Sequence, residues 1–210
     1  MNDIHSISTE KYKNSKQATR YPTEVELAAY NETGHALIGR FQGRAITSIR
    51  VGSQEWQTWD DHMNMIGIHP DIEPNFPYTE LGYSAPLPNW LPSRENDCTF
   101  KIAGVVAEKM LCERLGVSSS EVQTGKRDIL EAEALARSRY PNDLQAQRAM
   151  LLNAETEVRK ILSHPACWHA AEILAGVVAE VLVREPVLDG DRVHEIIHQA
   201  LVQAQNSECS

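Results

Sequence analysis

The chain is short of several things, and each shortage excludes a class of protein. No run of apolar residues approaches the ~20 that a membrane span needs. The first stretch, MNDIHSISTEKYKNSKQATRY, has no apolar segment and does not read as a secretory signal. Aromatic residues make up only 6% of the 210 positions. The 20 basic residues are outnumbered by 29 acidic ones, giving a net charge of −9. That balance lacks the positive footprint of a nucleic-acid binder and argues against docking on anionic lipid. The four cysteines, Cys98, Cys112, Cys167 and Cys209, form no C-x-x-C pair, so no zinc knuckle or thioredoxin motif is present. They read as reduced thiols, and the expected compartment is the cytoplasm. No G-x-x-x-x-G-K-[ST] loop occurs, so ATP hydrolysis is not expected.

What is present suits a globular protein: 42% hydrophobic and 23% charged residues, enough chain for one domain with its own core. Residues 1–21 are polar and read as a flexible arm, 22–205 as a single domain, and 206–210 as a frayed tail. Thr23, with Glu26 three residues on, is a capping box. The helix after it carries Leu27, Tyr30, Gly34, Leu37 and Ile38 at helical spacing and stops near Gly43. AITSIRVG alternates as a short strand, and MNMIGIHP is a second strand candidate. Residues 70–94 hold six prolines and read as a long loop without helix. From Asp97 onward the pattern is helical: CTFKIAGVVAEKMLCERLG, RDILEAEALARSRY, residues 143–163 and 165–184, then a last helix from about Gly190 to Gln205. The expected fold is α+β, mainly α-helical, with a small β element and a C-terminal helical bundle.

Two five-residue windows could carry chemistry. His194-Glu195-Ile196-Ile197-His198 is a literal H-E-x-x-H, whose two histidines share a helix face and can hold one zinc ion while the glutamate activates its water. Against that, Val193, Ile196, Ile197 and Leu201 make an apolar stripe, and the segment also reads as an amphipathic terminal helix with its polar residues outside. Asn31-Glu32-Thr33-Gly34-His35 has one histidine and is no metal motif by composition.

The neighbourhood of that first window is more informative. AAYNETGHALIG resembles the H-E-x-G-H helix of the FtsH family of ATP-dependent zinc metalloproteases. In the same order, AITSIRVG takes the place of that family's following strand, IAGVVAEKML resembles its Ala/Glu-rich helix, and TGKRDILEAEALAR resembles its Thr-Gly…Asp…Ala…Leu-Ala-Arg segment. VLDGDRVHEII resembles the turn that opens its closing helix. The likeness covers about residues 24–203 and implies an FtsH-peptidase-like fold with a zincin-type active-site helix.

The resemblance also implies roles. His35 stands at the second histidine ligand, Asp128 at the third ligand, and Glu32 at the general base of peptide-bond hydrolysis by zinc-activated water. Asn31 stands where the first histidine belongs, and a neutral amide is a poor zinc ligand. The turn from Gly125 to Asp128 is one residue shorter than the family pattern, which shifts the expected aim of Asp128. Each residue also has a plainer reading: His35 as a hydrogen-bonded helix histidine, Asp128 as a helix N-terminal acid, Glu32 as a solvated glutamate. Glu108 reads as structural, and His62 or His69 as a candidate replacement ligand. Two functional readings follow. One is a zinc metallopeptidase-like domain weakened by Asn31. The other is a pseudo-peptidase that binds a peptide or protein, assembling with copies of itself or with a separate ATPase.

Overall fold

A computed structural model describes residues 20–51, 57–59, 65–68, 77–81, 94–119, 125–184 and 187–208. The elements in chain order are α1 (Glu24–Phe41), β1 (Ile46–Val51), β2 (Gln57–Trp59), β3 (Met65–Ile68), β4 (Pro77–Leu81), α2 (Arg94–Leu115), α3 (Lys126–Arg139), α4 (Leu144–Leu162), α5 (Pro165–Arg184), β5 (Val187–Asp189) and α6 (Gly190–Glu208). The fold is α+β and mainly helical. Residues 1–19, His62, His69 and Cys209 lie outside the described residues, as does most of the proline-dense stretch 70–94.

The capping box forms. Thr23 Oγ1 accepts from the Glu26 amide at 3.2 Å, and Glu26 returns the bond by accepting from the Thr23 amide at 2.8 Å. The helix ends where Gly43 takes a left-handed φ of 72°. The sequence pattern predicts a single apolar stripe on α1. Instead every residue from Asn31 to Gly39 is buried, because α2, α5 and the sheet surround the helix. This explains how polar side chains in the Asn31–His35 window can lie inside the protein.

α1 and α2 approach closely. A Cβ added at Gly34 would lie 2.5 Å from the Ala103 carbonyl oxygen, so only glycine permits the crossing. α2 begins at Arg94, three residues ahead of the expected start. Pro165 occupies the first position of α5, where its missing N–H costs nothing.

The three-stranded antiparallel sheet has the order β4-β1-β5. Ile49 pairs with Thr79 on one side and Leu188 on the other. A bulge between Ile46 and Ser48 breaks the simple alternation read from the sequence. Ile46, Ser48 and Ile49 are all buried, and Thr47 faces out. β2 and β3 form a separate antiparallel pair. Three strands depart from the sequence expectation. β2 lies in the polar connection between the two expected strands, β4 lies in the segment read as loop, and β5 precedes the last helix. That helix runs to Glu208, so Asn206, Ser207 and Glu208 belong to it and not to a tail.

The core joins Leu37 and Ile38 of α1, Val106 of α2, Val158 and Leu162 of α4, Leu174 and Val178 of α5, and Ile197 of α6. No helix among the described residues is long and apolar enough to cross a membrane.

Candidate functional site

The four residues singled out from the sequence meet at one place. Asn31, Glu32 and His35 lie within about one turn of α1, and Asp128 sits in the first turn of α3. Gly125 takes a left-handed φ of 65° at the entry to that helix. Asp128 is aimed at the histidine: its Oδ2 lies 3.3 Å from His35 Nε2.

His35 is fixed from both ends. Nδ1 lies 2.9 Å from the Phe100 carbonyl oxygen, which can only accept, so Nδ1 carries a hydrogen. The ring of Phe100 packs beside the imidazole at a centroid distance of 5.0 Å. Arg44 covers Phe100 at 4.6 Å and pairs with Asp97, which pins this end of α2. With Nδ1–H committed, Nε2 turns toward a carboxylate. The pair is favourable only when a positive charge, as a proton or an ion, lies between them.

The titration of the pair follows. Burial opposes charging of His35, but the Asp128 carboxylate and then Glu32 outweigh it and raise its pKa to about 9. Burial pushes Asp128 upward, while His35, Lys101 and a hydrogen bond from Asn31 carry it net below its ordinary value. Lys101 is itself ion-paired with Glu131.

Asn31 is the decisive residue. Its side-chain nitrogen donates to Glu108 Oε1 at 2.8 Å. Glu32 and Glu108 are both buried. Glu108 is thus part of the centre, although its sequence context read as structural. The available signal was an acid one helical turn past Gly104 in an otherwise apolar run.

Zinc does not fit the donor set in this arrangement. A catalytic zinc takes three protein ligands. His35 Nε2 and the Asp128 carboxylate qualify, but the third position presents the hydrogens of an amide.

The literal motif on α6 is built differently. His194 Nε2 accepts from the Ile46 amide at 3.3 Å, and the Arg40 guanidinium lies 3.2 Å from its Nδ1. Burial and that guanidinium lower its pKa, with Asp191 pulling the other way. Glu195 pairs with Arg192 on the surface, and His198 is exposed. A histidine wedged against a guanidinium, fastening the start of β1, is poorly placed to take up a cation.

A scan against protein-family models and a search of curated proteins find no match for this chain.

Proposed function

We propose that the chain holds a domain of the FtsH-peptidase type whose centre binds rather than cuts. The resemblance of successive segments in order supports the peptidase-type reading. Its three key segments supply α1, α2 and α3, the helices that enclose one buried polar centre. The single observation that carries the non-cutting role is the Asn31 amide, hydrogen-bonded to Glu108 where a third zinc donor is needed.

The occupant in this reading is an extended peptide or protein segment. β4 is the element suited to receive it by strand addition. It pairs with β1 on one side and, among the described residues, with no strand on the other. The test incubates purified chain and its Glu32→Gln variant with unfolded casein in zinc-supplemented buffer. Neither should cleave it, and both should bind casein peptides in a fluorescence anisotropy titration. Cleavage by the chain that Glu32→Gln abolishes would contradict the proposal.

That contrary result would support a second reading, a zinc peptidase with Glu32 as base and His35 and Asp128 holding the ion. One observation favours it. The Phe100 carbonyl orients His35 through Nδ1, which is how metal-binding histidines are commonly held.

A further inference from the structure

Between α1, α2 and α3, Glu108 meets the Asn31 amide and Asp128 meets the His35 imidazole, with Glu32 buried on α1. Buried carboxylates persist only where donors or cations compensate for lost water. Lys101 is the cation whose charge reaches Asp128 from outside, and it is shared with Glu131. The Asn31 amino group serves Glu108, donating to its Oε1 at 2.8 Å. Turned over, the amide would set its oxygen against the Glu108 carboxylate, so its partner fixes its orientation.

The surrounding backbone is shaped to this group. A Cβ at Gly104 would lie 2.6 Å from Cγ, Nδ2 and Oδ1 of Asn31, so α2 leaves a slot that the carboxamide fills. A Cβ at Gly125 would come within 3.6 Å of the same nitrogen and 2.2 Å of a Val105 methyl. Glycines on α2 and at the entry to α3 therefore close on Asn31 from two sides.

We propose that the Asn31 carboxamide does the structural work of a cation beside Glu108, tying α1 to α2 where α3 enters and shutting zinc out of the centre. The tie does not depend on what the domain binds. The tie shares the exclusion of zinc with the proposed function, but casein binding or its absence leaves the following readout unmoved, and the Glu108 variants test the tie alone.

The experiment follows thermal unfolding of the full chain by circular dichroism, in EDTA and in zinc chloride, with zinc per chain measured after gel filtration. The unaltered chain should retain no zinc and keep one midpoint in both buffers. Asn31→Asp turns the donor into a further carboxylate. Its midpoint should fall by roughly 5–10 °C in EDTA and recover with zinc, which it should retain stoichiometrically. Asn31→Leu should fall similarly in both buffers with no recovery. Glu108→Gln keeps an acceptor oxygen for Asn31 and should stay within about 3 °C of the unaltered chain, whereas Glu108→Leu should fall further. The two Glu108 variants decide the matter even where Asn31→Asp does not fold in EDTA. Stoichiometric zinc in the unaltered chain, an Asn31→Asp variant as stable as that chain without metal, or equal losses in both Glu108 variants would overturn the proposal.

Discussion

The molecule contains two versions of one pattern, and they behave in opposite ways. His194–His198 spells H-E-x-x-H in full, yet it lies on α6 with His198 exposed, Glu195 in a surface ion pair and His194 against Arg40. Asn31–His35 lacks one histidine, yet it is buried in α1 with Asp128, Glu108 and the Phe100 carbonyl as partners. The environment, not the spelling, decides which window has the means to hold charge. A motif needs a low-dielectric setting and fixed partners before its residue types acquire perturbed chemistry.

Substitutions sharpen this contrast. The largest loss is expected from His35→Ala, which strands the Asp128 carboxylate and the Phe100 carbonyl inside the protein. It should cost about 3–5 kcal/mol in denaturant unfolding. Gly34→Ala should follow at about 1–3 kcal/mol, because its Cβ would press on the Ala103 backbone. His194→Ala removes one acceptor for the Ile46 amide and should cost about 1 kcal/mol. His198→Ala should stay within about 0.5 kcal/mol, as for other exposed positions. An equal loss at His198 and His35 would break the comparison.

The pH dependence divides the two windows as well. His35 has a folded pKa near 9, above the ~6.5 of an unfolded chain, so its stabilisation is complete below about pH 6.5 and is lost as pH rises toward 9. His194 has a lowered pKa, so its contribution is present above about pH 6.5 and is lost as pH falls. Urea titrations between about pH 6 and 9.5 should show stability falling with pH in the unaltered chain and a much flatter profile in His35→Ala. A centre that binds zinc would show the reverse trend in zinc-containing buffer, since metal competes with protons for His35.

Much of the helical frame was legible in the sequence because its signals are local. Thr23 and Glu26 announce the start of α1, and His164-Pro165 marks the break between α4 and α5. β4 was hidden because its stretch is rich in proline, but Pro77 is the first residue of the strand, a position that tolerates proline. β5 has only three residues, too few to show alternation, and it exists because β1 offers it a partner. Sequence likeness singled out Asn31, Glu32, His35 and Asp128 together. The hold of Phe100 on His35 was not legible, because a backbone carbonyl leaves no trace in side-chain identity. The plain reading of Glu32 as solvated fails because α1 is enclosed on all sides, which a single-helix pattern does not reveal.

In the proposed reading, the Asn31 window is a buried polar centre closed by an amide and not by a metal. Anomalous diffraction at the zinc absorption edge, from crystals grown with a small excess of zinc chloride, tests it most directly. The expected map has no peak beside His35 Nε2 and Asp128, and the Asn31 amide lies against Glu108. A full-occupancy zinc peak at that point, with Asn31 turned away from Glu108, would contradict the account.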